Sequence, residues 1–139
     1  STQFKSLHPG GNIGKDLKSL NDVMHIGKEL PLAKLDEKMS KSLITMTRKS
    51  FGCIGVINNK KQIVGIITDG DLRRKLNSKF FNKSASEIMT KNPTLANKSM
   101  LVGEAINLMN TKKITSLFIC EKKVPLGIVH IHDLLRLTS

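Results

Sequence analysis

Two short motifs in this chain carry groups that could do chemistry at a defined spacing. In Thr68-Asp69-Gly70-Asp71 a hydroxyl and a carboxylate stand three residues apart, where the apolar run Ile63 to Ile67 gives way to the charged stretch Leu72 to Leu76. The pattern is that of a capping box. Thr68 caps a helix while Asp71 returns a hydrogen bond and places its charge at the helix N-terminus. The same atoms also suit a phosphorylated ligand: backbone N–H groups for an anion, the Thr68 hydroxyl for a phosphate, and the Asp71 carboxylate for two adjacent ribose hydroxyls. The two readings are compatible.

The second motif is His130-Ile131-His132-Asp133. Histidine is a poorer N-cap than threonine, so His130 and His132 invite a second role, contact with a ligand anion or sugar. The alternative is a packed or surface histidine. Residues two apart at a strand end would need further ligands to hold a metal, and no other Cys or His has the spacing to supply them, so no metal site is expected. Arg73, Arg74 and Arg136 follow on the helices that these motifs open. They either reach a phosphate held at the helix mouth or act as solvated cations toward the helix C-terminus.

Other chemistry is poorly represented. Gly10-Gly11-Asn12-Ile13-Gly14 lacks the preceding strand and the Gly-Lys-Ser/Thr ending of a phosphate loop. No arrangement of nucleophile, base and orienting carboxylate is visible, and no catalytic residue is expected. Cys53 and Cys120 stand far apart inside apolar stretches and read as buried free thiols. Met24, Met46, Met89, Met100 and Met109 fall in apolar patterns that mark core.

The elements that position the motifs come in duplicate. Gly65-Ile66-Ile67 matches Gly127-Ile128-Val129, and Asp71-Leu72-Arg73-Arg74 matches Asp133-Leu134-Leu135-Arg136, both at an offset of 62 residues. That register also pairs Pro31 with Pro93, Ile44 with Ile106, Ile57 with Ile119, and Lys60-Lys61 with Lys122-Lys123. Asp22-Val23-Met24 resembles Glu87-Ile88-Met89 at an offset of 65, which places three extra residues of the first copy within His25 to Leu30. Each copy reads as short helix, strand, helix, strand, turn, strand, helix. Ile54 to Ile57 and Ile63 to Ile67 form one hairpin, and Leu117 to Cys120 and Leu126 to Val129 the other. A unit of about 60 residues buries too little surface to be secure alone, so the copies should share a face.

Composition sets the outer limits. The chain has 139 residues, 39% hydrophobic and 24% charged, a globular balance. No apolar run is long enough to span a bilayer and no signal peptide is visible, so a cytoplasmic protein without membrane contact is expected. The net charge of +12 invites a nucleic-acid reading, but the lysines are scattered, Trp and Tyr are absent, and Phe numbers 5. Without aromatic platforms for base stacking, a solvated basic surface is the better account. A basic module that binds nucleic acid or another protein stays as the alternative.

With the repeat, the strand order and T-x-x-D in hand, the chain resembles tandem cystathionine-beta-synthase-type (CBS) repeats across about residues 20 to 139. The fold class this implies is α/β, each repeat β-α-β-β-α, with both packed into one pseudo-twofold module. Residues 20–80 would form repeat 1 and 81–139 repeat 2, with 1–19 as a linker. A narrower likeness lies in Leu7-His8-Pro9-Gly10-Gly11-Asn12-Ile13-Gly14 and the two repeat endings, which look like those of bacterial arabinose-5-phosphate isomerases. That likeness implies a regulatory part of such an enzyme, which serves Kdo synthesis for lipopolysaccharide or capsule. The sugar-isomerase domain would be absent, with no catalysis by this part alone and no required cofactor. It further implies a nucleotide or nucleotide-sugar ligand, AMP, ATP or CMP-Kdo, bound between the copies. Thr68 and Asp71 match the family's phosphate and ribose positions, and Asp133 matches in copy two. His130 departs from the usual Ser/Thr, which leaves a second equivalent nucleotide site without its hydroxyl. A homodimer through these modules, in a tetrameric parent, is the expected assembly.

Overall fold

The computed structural model describes residues 18–138. The linker reading of 1–19, the Gly10 to Gly14 segment and the Leu7 to Gly14 likeness lie wholly or almost wholly outside those residues. The β-branched runs form two sheets. In the first, β1 (Leu32–Lys34) runs parallel to β2 (Cys53–Ile57), which pairs antiparallel with β3 (Ile63–Thr68) and through it with β4 (Thr90–Lys91). In the second, β5 (Leu95–Ala96) runs parallel to β6 (Ser116–Glu121), which pairs antiparallel with β7 (Val124–His130). Both expected hairpins are present.

The helices follow the duplicated order: α1 (Leu20–Val23), α2 (Met39–Lys49) and α3 (Asp69–Lys75), then α4 (Ala85–Ile88), α5 (Val102–Lys112) and α6 (Ile131–Thr138). Helices α2 and α5 both stop at a left-handed residue, Ser50 (φ 65°) and Lys113 (φ 57°). Their buried faces carry Met39, Met46, Val102, Ala105 and Met109.

The repeat register needs one correction. Ala33 pairs with Val56, and Ala96 with Ile119, so the residues before each hairpin turn are equivalent at 63 rather than 62. The pairings of Pro31 with Pro93, Ile44 with Ile106 and Ile57 with Ile119 are therefore each one residue out. The cause is the turn: five residues, 58–62, separate the pair Ile57 and Ile63, whereas four, 121–124, separate Cys120 and Pro125. The first copy consequently has two extra residues after Met24, not three.

Packing joins the repeats in two ways. Helix α1 does not cover its own copy's sheet: Leu20, Val23 and Met24 pack with Ala105, Met109, Leu117, Val129 and Leu134 of the second copy. Reciprocally, Ala85, Ile88 and Met89 pack with Met39, Met46, Ile54 and Ile67 of the first. The backbone repeats the exchange, with Leu20 N–H donating to Met100 O (2.8 Å) and Met39 N–H to Lys83 O (2.8 Å). A third core of Phe51, Cys53, Ile63, Phe118, Cys120 and Ile128 lies where the two sheets meet. There Gly55 is required, because a Cβ would sit 2.9 Å from Phe118 Cζ.

Candidate ligand clefts

Each strand-to-helix junction opens into a cleft, and the two clefts are related by the repeat. The first, about 620 Å³, has Thr68, Asp69, Gly70, Asp71, Arg73 and Arg74 on one wall. Gly52, Cys53 and Ile66, then Thr90, Asn92, Pro93 and Thr94, and the loop Lys113 to Ser116 complete the lining. The second, about 720 Å³, has His130, His132, Asp133 and Arg136 facing His25, Lys28, Glu29 and the loop Arg48 to Phe51. The eight residues singled out from the sequence therefore divide evenly between two clefts.

At the first cleft the capping box is formed in full. Thr68 Oγ1 accepts from the Asp71 N–H (3.2 Å), while Asp71 Oδ2 accepts from the Thr68 N–H (3.0 Å) and hydroxyl (3.2 Å). Asp71 Oδ1 accepts from Arg74 Nη2 (2.5 Å) and from Thr90 Oγ1 (3.2 Å). The residue is 2% exposed, and four donors meet its two oxygens. A carboxylate buried so deeply has to be satisfied, and these donors do it. Thr68 and Arg73 keep more accessible surface. The Asp69 N–H donates to Gly52 O (3.2 Å), which fixes the helix mouth against the start of β2.

The second cleft repeats this plan with different side chains. The Ile131 N–H donates to Thr115 O (2.8 Å), as Asp69 does to Gly52. His130 does act as a cap: its Nδ1 accepts from the His132 N–H at 3.1 Å. That acceptor role leaves Nε2 as the protonated nitrogen of the neutral ring. Burial and the neighbouring His132 hold the His130 pKa below its usual 6.5. Asp133 Oδ2 meets His25 Nε2 at 3.0 Å, and its Oδ1 accepts from Arg136.

His25 was not foreseen. It bridges to Ile128, the place Thr90 takes beside Ile66 in the other copy, and it stands against Asp133 as Thr90 stands against Asp71. Its Nδ1 reaches Glu29 Oε1 at 3.1 Å, and its ring meets Phe51 edge-on at 5.1 Å. The hydrogen bond to Asp133, helped by Glu29 and opposed by partial burial, raises the His25 pKa above 6.5. The offset of 65 that equates Met24 with Met89 would have equated His25 with Thr90. A lone histidine beside an insertion carries no local motif that marks it.

The cysteines are free and buried, as read. Burial pushes the Cys53 thiol up to about 12 and that of Cys120 up to about 11, so neither supplies a thiolate near neutral pH.

Comparison with known proteins places this arrangement. The family model for the CBS domain matches residues 20–78 and again 85–139. The chain belongs to the CBS-domain family. It is 36% identical over 136 residues to arabinose 5-phosphate isomerase KdsD of Yersinia pestis. That match covers 96% of this chain and 42% of the relative. It is 43% identical to an uncharacterized protein of Rickettsia prowazekii, over 95% of the chain and 41% of that protein. The chain thus spans less than half the length of these relatives. Among solved structures it resembles CBSX2 in complex with AMP, with a TM-score of 0.74 at 23% identity. The superposition covers 86% of this chain and 94% of that one. The expected tandem CBS fold is therefore the fold observed, and among the described residues no helix is long and apolar enough to cross a membrane.

Proposed function

We propose that this CBS pair is the ligand-sensing part of an arabinose-5-phosphate isomerase and binds an adenine nucleotide, AMP or ATP, in the Thr68 cleft. The observation that supports this most is the cleft of about 620 Å³, whose walls come from both repeats. Pro93, Ile66, Cys53 and Ile114 offer apolar contact for a flat base. Thr68, Arg73 and Arg74 offer a hydroxyl and two cations to a phosphate. Asp71 is the ribose partner on the family pattern, and to serve it must exchange Arg74 or Thr90 for sugar hydroxyls. Such a ligand bridges the repeats, so binding is felt by both, which is what a regulatory module requires. CMP-Kdo, an end-product nucleotide-sugar, is the competing ligand within this reading. Association into a homodimer belongs to the same proposal, with exposed Ile44 and Leu135 as apolar residues for the contact.

Melting the chain in the presence of AMP, ATP, CMP and CMP-Kdo tests the reading, because a ligand bound only by the folded state raises the midpoint. A saturable rise with one of them, removed by Thr68→Val and Arg73→Gln together, is expected. No rise with any of the four overturns it. Tight binding of DNA or RNA with a steep salt dependence would favour a basic interaction module instead.

A further inference from the structure

The two clefts share a backbone plan but differ in what they offer a ligand. The Thr68 cleft mixes Asp69 and Asp71 with Arg73, Arg74 and Lys113, and includes Ile66, Pro93 and Ile114. The His130 cleft has four permanent cations, Lys28, Arg48, Lys49 and Arg136, and three imidazoles against two carboxylates. Phe51, 8% exposed, is its one apolar side chain among the described residues. That ring is largely buried and already packs on His25, so the cleft offers a nucleoside base little apolar surface.

The carboxylates offset only part of this positive charge. Glu29 and Asp133 both face His25, at 3.1 and 3.0 Å, and Asp133 also holds Arg136. Lys49, also on the lining, donates to the Lys28 carbonyl. His130, with Nδ1 spent on the helix cap, presents an N–H donor where the first copy has a hydroxyl. Cations gathered in a concave site reinforce one another's field there, which a dispersed basic surface does not do.

We propose that the His130 cleft is a polyanion site of a different ligand class from the Thr68 cleft, taking a compact molecule with two closely spaced phosphate groups and no nucleoside. Arg48, Lys28 and His130 supply its contacts. The proposal does not depend on nucleotide binding at Thr68.

Inorganic pyrophosphate is the probe, titrated calorimetrically into the whole chain at constant pH and near-physiological salt, with orthophosphate and AMP alongside. One pyrophosphate per chain is expected, bound at least about ten-fold more tightly than orthophosphate. Arg48→Gln combined with Lys28→Gln should weaken it by about ten-fold or more, with Arg48→Lys retaining most of the affinity. Lys60→Gln removes a charge at the hairpin turn, the far end of β2 from the cleft, and should change affinity by less than about two-fold. Thr68→Val should leave pyrophosphate unaffected. The proposal is overturned if pyrophosphate does not bind, if Lys60→Gln costs as much as Arg48→Gln, or if Thr68→Val abolishes pyrophosphate binding. Loss of AMP binding alone, with pyrophosphate retained, would count against the nucleotide reading and leave this one standing.

Discussion

At the scale of single residues, Asp71 shows how one buried carboxylate ties a helix start to its surroundings. Asp71 holds four donors while 2% exposed. Asp71→Asn therefore removes charge-assisted bonds and leaves Arg74 unpaired, and should cost about 1 to 3 kcal/mol in urea unfolding. A stability unchanged from the native chain would show that this network contributes nothing. The histidines act in opposite directions with pH. His25 has a folded pKa above 6.5, so its contribution is fully present below about pH 6.5 and is lost as pH rises through the folded value. The stability gap between the native chain and His25→Gln should be wide at about pH 5.5 and narrow at about pH 8. His130 has a depressed pKa, so the unfolded chain takes its proton first and stability declines as pH falls past 6.5. His130→Thr should remove that loss, measured as a smaller drop in melting temperature on acidification. None of the His25 behaviour was legible beforehand, because its partner Asp133 lies 108 residues away.

Between neighbouring elements, the matched glycines and methionines of the repeat turn out to be one device. A Cβ on Gly65 would lie 2.3 Å from Met89 Sδ, and one on Gly127 would lie 2.3 Å from Met24 Sδ. Each glycine leaves room for the methionine that follows the other copy's opening helix. Gly127→Ala should cost about 1 to 3 kcal/mol by overpacking, and Met24→Ala in the same chain should recover part of it. Additive losses in the double-mutant cycle would show that the two do not touch. Strands, turns and motif helices were readable because β-branched runs, polar turns and T-x-x-D act locally. The repeat offset before the hairpin turn was one residue out, since a shorter turn in one copy leaves no mark on the apolar pattern. Strand β4, two exposed residues, has too little pattern to be seen at all.

Across the whole molecule, the exchange of α1 and α4 packs two sequence repeats into one body. Sequence similarity says which segments are alike, not which sheet each covers, so this could not be read from the repeat. Leu20 is fully buried in the second copy's core. Leu20→Ala should therefore cost about 2 to 5 kcal/mol. Its hydrogen-exchange protection should fall most in α5, β6 and α6, whereas a loss confined to the first repeat would contradict the exchange. The same architecture brings Thr68 of one repeat and Thr115 of the other to one cleft, where a single ligand would report to both. The most direct test of that account is a titration of the isotopically labelled chain with AMP, followed by amide chemical shifts. Saturable shifts grouped at Thr68 to Arg74 and at Lys113 to Ser116 are the predicted result; shifts confined to one repeat, or none at saturating AMP, would contradict it.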